Sequence, residues 1–154
     1  MIKLILPRHP ADKIRAALKE AGRREIGGVL MAEHVGTNEF RIVDLTIHER
    51  GTFAYFIRKL EQVIAQLRTF FERVDHNYVR FNYAGEWHSH PSFEPEPSSE
   101  DDRSIQEIVN DAKVGANFVV LLIVKLDSEG QLVGTAYTYL PDGTKHKSDL
   151  SMID

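Results

Sequence analysis

The stretch GEWHSHPSFEPEPSSEDD, Gly85 to Asp102, sets two histidines one residue apart, follows them with a proline-broken run and ends in an acidic cluster. The preceding VRFNYA extends it backwards as a strand, and Pro91, which has no N–H to give a ladder, stops it. Side chains alternate along a strand, so Glu86, His88 and His90 share one face while Gly85, Trp87 and Ser89 share the other. Two imidazoles so spaced are close enough to hold one metal ion between them. Ser98, Asp101 and Asp102 fall in the first turn of a helix expected over roughly Ser99 to Lys113, which can return a carboxylate to the histidine pair as a third ligand. Each half also has a plain structural reading. Ser98-x-x-Asp101 after Pro97 reads as a helix N-cap with an acidic first turn, a feature that stabilises by about 0.5–2 kcal/mol, and His-x-His on an exposed strand needs no metal. The joint spacing, rather than either half, favours a site.

Outward from this stretch the chain reads as alternating strands and helices. Ile2 to Leu6 is a short strand; ADKIRAALKEAG places Ile14, Ala17, Leu18 and Ala21 at helical spacing and stops at Gly22. EIGGVLMAEHVG is a strand whose glycine pair admits another backbone closely, and FRIVDLTIHE alternates as a second strand. From Arg58 to about His76 the residues Leu60, Ile64, Leu67, Phe71 and Val74 define a long amphipathic helix. FVVLLIVKL has the continuous apolar character of a central strand buried on both faces, and GQLVGTAYTYLPDG is its antiparallel neighbour, joined through Asp127 to Gly130. The sum is an α/β arrangement of helices on a mixed sheet.

The bulk numbers bound the rest. A chain of 154 residues without internal repeat or linker fits one domain, 1–154, large enough to bury roughly two-thirds of its unfolded surface. A net charge of -4 and a pI near 6.0 argue against nucleic-acid and membrane-surface binding. No cysteine is present, which confines catalysis to His, carboxylate and hydroxyl groups and suits a cytoplasmic protein. The apolar run before Pro7 is too short for a secretory signal, and nothing approaches the length of a membrane span.

His88, His90, Ser98 and Asp101 form the pattern H-x-H-x7-S-x2-D, Pro91 to Pro97 being the seven. It resembles the JAMM signature of MPN-domain zinc metalloproteases. That family also has a glutamate on an early strand before a small-residue pair and an apolar run, and Glu25 in REIGGVLM matches. The resemblance covers most of the chain and implies the MPN (JAB/JAMM) fold, a cytidine-deaminase-like mixed β-sheet sandwiched between helices. It implies one catalytic Zn²⁺ held by His88, His90 and Asp101 with water in the fourth position, Glu25 as the general base and Ser98 as the oxyanion donor. Other assignments stay open from the residues alone. Glu86 with His88 and His90 is a different ligand set; Asp102 lies about 100° round the helix from Asp101; Glu33 is a second acidic candidate for the base. His9, His34, His48, His76 and His146 show no partner spacing, and Trp87 reads as core.

By resemblance, the chain is similar to small stand-alone prokaryotic members of the family. The implied activity is hydrolysis of the amide bond after the C-terminus of a ubiquitin-like protein, as an isopeptidase or peptidase. The implied partners are a ubiquitin-like protein or a conjugated target, with activating- and conjugating-like enzymes and a nucleotide cyclase where the setting is an antiphage operon. Processing of a ubiquitin-like sulfur carrier is an alternative, and a non-catalytic MPN scaffold another. FAYFIRK and the long helix are candidate groove walls for an extended tail. Between His90 and Ser98 many relatives carry an Asn-Gly turn, whereas this chain has Ser92-Phe-Glu-Pro-Glu-Pro97, stiff and acidic. That departure suggests a substrate with basic character near the cut.

Overall fold

Six consecutive residues, Val119 to Val124, are wholly buried, a burial reached by a strand flanked on both edges and covered on both faces. The computed structural model describes residues 1–49, 69–75, 77, 81–112 and 115–153. Its elements are β1 (Lys3–Pro7), α1 (Arg8–Ala21), β2 (Ile26–Gly36), β3 (Glu39–Leu45), β4 (His48–Glu49), β5 (Phe81–Ser89), α2 (Ser99–Val109), β6 (Val119–Leu126), β7 (Leu132–Tyr139) and β8 (Lys145–Ile153). β6 pairs in parallel with β5 and antiparallel with β7. Its side chains alternate between two cores. Val120, Leu122 and Val124 join Ile14 and Leu18 of α1, whereas Val119, Leu121 and Ile123 join Ile105 and Val109 of α2. Helices therefore cover both faces of a mixed sheet, as the alternating pattern predicts.

The strand order is β3-β1-β8-β7-β6-β5-β2-β4, and β3 pairs with β2 as well as with β1. This second pairing closes the sheet on itself, leaving β4 as a short annex to the start of β2. The core inside the curl draws on Leu4, Leu30, Ile42, Ala84, Trp87 and Leu132 as well as on α1. Among the described residues no helix is long and apolar enough to cross a membrane.

Most element readings hold with shifted ends. α1 begins at Arg8 rather than Ala11, because Pro10 sits in its first turn, where a missing N–H costs nothing. The strand expected over FRIVDLTIHE is interrupted at Thr46 and Ile47 and so becomes β3 and β4. Thr46 is the reason: its N–H donates to Val29 O (3.0 Å), its Oγ1 accepts from Val29 N–H (2.9 Å) and its carbonyl accepts from Trp87 Nε1–H (2.8 Å). α2 ends at Val109 instead of near Lys113, capped by Asn110, whose amide donates to Pro141 O. The turn at Asp127 forms as expected, with Asp127 Oδ1 accepting from Glu129 N–H and Gln131 N–H (both 2.9 Å). β8 is an addition to the sequence reading; Pro141-Asp-Gly143 was its turn signal. The expected helix over residues 58–76 lies outside the described residues except at its end, where residues 69–73 are helical and Phe70 packs on Val29 and Met31. The segment FAYFIRK and His76 also lie outside the described residues.

Two glycines permit the close packing around β5. A Cβ on Gly85, at φ 152°, would fall 1.9 Å from Val120 O, and one on Gly28 would fall 1.9 Å from Thr46 O. In both cases the obstacle is backbone, which cannot swing aside as a side chain does. Gly28→Ala is therefore expected to lower the unfolding free energy by about 1–3 kcal/mol, the range for overpacking. Urea denaturation followed by Trp87 fluorescence measures this, and an unchanged midpoint would contradict the packing described.

Candidate metal centre

β5 carries the site because its two faces do different work. Trp87 is wholly buried toward α1 and tied to Thr46, which fixes the rotation of the strand and turns Glu86 and His88 toward α2. His90 stands one residue beyond β5, yet its N–H still donates to Val124 O (3.0 Å), so the chain stays aligned with β6 through the histidine pair. Ser89 Oγ accepts from Ile26 N–H (2.9 Å), joining the end of β5 to the start of β2. Glu25 immediately precedes β2 and is half-buried. The ladder that pairs Gly27 with His88 thus brings residues 25 and 90 to the same end of the sheet.

Asp101 arrives from the first turn of α2. Ser98 is the N-cap: its Oγ accepts from Asp101 N–H (3.1 Å), while Asp101 Oδ2 accepts from Ser98 N–H (2.9 Å). The N-cap and acidic first turn anticipated from sequence are present, here as a full capping box, and the same carboxylate also meets the histidines. His88 Nδ1 lies 3.1 Å from Asp101 Oδ1, and His90 Nε2 lies 3.1 Å from Asp101 Oδ2. Relative exposures are 0% for Asp101, 8% for His88 and 5% for His90. Burial pushes the Asp101 carboxyl pKa up, but the hydrogen bonds with His88, His90 and Ser98 outweigh it and hold the group well below the usual carboxylate range. Asp101 is an anion in the protein interior, and its neighbours keep it one.

The outer nitrogens of both rings are also engaged. His90 Nδ1 is 3.2 Å from Glu94 O, and His88 Nε2 is 3.1 Å from Glu86 Oε2. Four ring nitrogens thus face four oxygens, whereas two neutral imidazoles supply only two N–H groups. Either two further protons or one divalent cation completes the cluster. The donor set, two imidazoles and a carboxylate, is of the kind that Zn²⁺ takes in catalytic sites. Among the described residues, however, no group of three or more His, Asp or Glu is spaced to hold a metal ion as it stands; the rings and carboxylates are hydrogen-bonded to one another. The chemistry of the residues fits the metal, with Asp101 and the inward nitrogens of His88 and His90 as the atoms that would receive it.

The remaining candidates separate clearly. Asp102 turns away from the cluster to accept from Tyr139 O–H (2.5 Å) and Lys145 Nζ (3.1 Å). Glu33 is paired with Arg41 (3.4 Å) near the far end of β2. His34 stacks on Phe40 and His48 meets Thr46 Oγ1; both lie on strands. Glu86, weighed as a ligand in the sequence, contacts His88 and is 3% exposed. Burial first and the Glu86 charge second push the neighbouring Tyr83 phenol well above its ordinary pKa.

The loop from Ser92 to Pro97 is fastened to the sheet by contacts with no local sequence signal. Thr135 Oγ1–H donates to Pro95 O, Lys125 Nζ to Phe93 O (3.2 Å) and Tyr137 O–H to Glu96 Oε2 (2.6 Å). The bond to Glu96 is the main reason that the Tyr137 phenol is pushed up to about 12. Phe93 is 65% exposed and edge-on to the His90 ring.

Comparison with known proteins gives the family and the fold. A family model for prokaryotic homologs of the JAB domain matches residues 7–136. The chain belongs to that family, a prokaryotic form of the JAB/MPN domain. Its fold is similar to that of a Desulfitobacterium hafniense protein solved in solution, with a TM-score of 0.61 at 17% identity over 97% of this chain and 92% of that one. A Salinibacter ruber protein gives a TM-score of 0.56 at 17% identity over 97% and 91%. A crystal structure of a JAB1/MPN domain protein from Archaeoglobus fulgidus also matches, with a TM-score of 0.48 at 14% identity over 96% and 97%. A search of curated proteins gives no match.

A divalent site of this kind is expected to take up about one zinc per chain. Metal analysis after dialysis against trace zinc tests it: the wild type should retain the ion, while His88→Ala and Asp101→Ala should lose it. Equal zinc in Asp101→Ala would contradict the site.

Proposed function

We propose that the chain is a zinc-dependent amide hydrolase that cleaves after the C-terminus of a ubiquitin-like protein, releasing it from a lysine or from a peptide extension. The observation that carries this reading is the meeting of His88, His90, Asp101 and Ser98 in one small cluster beside the end of β2 that Glu25 precedes. His88, His90 and Asp101 are assigned to the metal. When bound there, zinc lowers the pKa of a coordinated water toward about 7 and polarises the scissile carbonyl. Glu25 is assigned the proton transfers, taking a proton at its carboxylate and delivering it to the leaving amine. Ser98 Oγ accepts one hydrogen bond from Asp101 N–H and is exposed. Its own O–H remains to donate to the developing oxyanion.

The proposed partners are separate proteins: a ubiquitin-like protein or its conjugated target, and activating- and conjugating-like enzymes with a nucleotide cyclase if the setting is an antiphage system. Sulfur-carrier processing would use the same chemistry on a linear peptide bond. A second reading, a non-catalytic scaffold, rests on the direct hydrogen bonds among Glu86, His88, His90 and Asp101, which would suffice as structure without a metal.

Glu25→Ala separates the readings. A ubiquitin-like protein fused to a reporter, and the same protein linked to a lysine, are the substrates. The variant is expected to keep its zinc and lose cleavage by about 100-fold or more, the lower end for a general base. Wild-type cleavage by Glu25→Ala would refute the mechanism; no cleavage of either substrate by zinc-loaded wild type would favour the scaffold.

A further inference from the structure

Glu86 is a buried acid that the proposed chemistry leaves without a task. Its side chain is 3% exposed, on the same β5 face as His88, and its Oε2 lies 3.1 Å from His88 Nε2. On the other side of the same ring, Nδ1 faces Asp101 Oδ1 at 3.1 Å. His90 repeats the arrangement, with Nδ1 toward Glu94 O and Nε2 toward Asp101 Oδ2. Each imidazole therefore has one outer oxygen and one inner nitrogen turned to the same carboxylate. A carbonyl can only accept, so Glu94 O requires a proton on His90 Nδ1, and loss of the inner proton that meets Asp101 would leave Nε2 with a lone pair for a metal.

We infer that Glu86 is the positioning residue for His88, accepting Nε2–H so that the ring presents Nδ1, unprotonated, to the metal. The inference rests on the metal site proposed above and names a role for a residue outside the ligand set. The reason is geometric and electrostatic. A neutral imidazole has two tautomers, and only the one with the proton on Nε2 both satisfies the buried Glu86 oxygen and frees Nδ1. A carboxylate on the far side of a ligating ring also raises the basicity of the ligating nitrogen. Glu86 as a ligand in its own right would compete for the same ion; the 3.1 Å contact instead places His88 Nε2 between Glu86 and the Asp101 side of the ring.

The test is zinc affinity by chelator competition, together with ¹⁵N NMR of the His88 ring in zinc-loaded wild type. Glu86→Ala is expected to weaken zinc binding by about 10- to 100-fold, the usual effect of removing such a partner. Glu86→Gln, which keeps an oxygen acceptor of the same length, should recover most of the loss. The His88 ring should carry its proton on Nε2 and the metal on Nδ1. Zinc on Nε2 would overturn the inference, as would unchanged affinity in Glu86→Ala or loss in Glu86→Gln as deep as in Asp101→Ala. Should Glu86→Ala not fold, the wild-type ring spectrum and Glu86→Gln still decide. A wild type that binds no zinc overturns the metal site itself, a failure distinct from a zinc-loaded wild type indifferent to residue 86.

Discussion

The Asp101 carboxylate ties the start of α2 to the histidine strand, and the proposed chemistry depends on it. One oxygen caps α2 through Ser98 N–H and meets His90; the other meets His88. An isolated carboxylate with no solvent exposure would be driven to the neutral form. Here the surrounding hydrogen bonds reverse that tendency, and in doing so bind the helix to the histidine strand. The cap stabilises the start of α2 and sets the position of its first turn. The same residue is thus a structural clamp and, in the site proposed above, the third member of the ligand set.

The closed sheet supplies the rigidity this clamp needs. β5 is held between β2 and β6, and Gly85 and Gly28 let the neighbouring backbones close around it. Trp87 locks its rotation from behind by filling the α1 core and donating to Thr46 O. With the strand fixed on both edges and on one face, the other face can hold a cluster of two carboxyl groups and two imidazoles below 10% exposure. Such a buried polar cluster is stable only when its members satisfy one another. The fastening of the 92–97 loop to β6 and β7 extends this order, because it aligns the Glu94 carbonyl with His90.

Much of this was legible in the sequence, and the limits have physical causes. The buried strand β6 announced itself by an apolar run with no polar interruption, and α1 by its helical spacing. Strand alternation, a proline stop and a capping motif brought His88 and His90 near Ser98, Asp101 and Asp102, and the choice of Ser98 and Asp101 among them came from the resemblance to the JAMM signature. β8 escaped because its exposed polar residues, Lys145 to Lys147, and half-buried Ser151 dilute the alternation that marks a strand. Closure of the sheet escaped because β3 pairs with segments from both directions along the chain. The contacts of Thr135, Tyr137 and Lys125 with the loop join residues more than thirty positions apart. The Glu94 carbonyl is backbone, and no side-chain pattern marks it. Glu86 was visible as a same-face acid, but its contact with the far side of His88 depends on a rotamer.

The central claim is that the hydrogen-bonded cluster around Asp101 is the receiving form of a metal site. Crystals grown with zinc, with diffraction recorded at the zinc absorption edge, test it most directly. The account predicts one anomalous peak at about 2.0–2.2 Å from His88 Nδ1, His90 Nε2 and an Asp101 carboxylate oxygen, with Glu86 remaining on His88 Nε2. No peak in the cluster, or a peak with Glu86 ligating in place of Asp101, would contradict it.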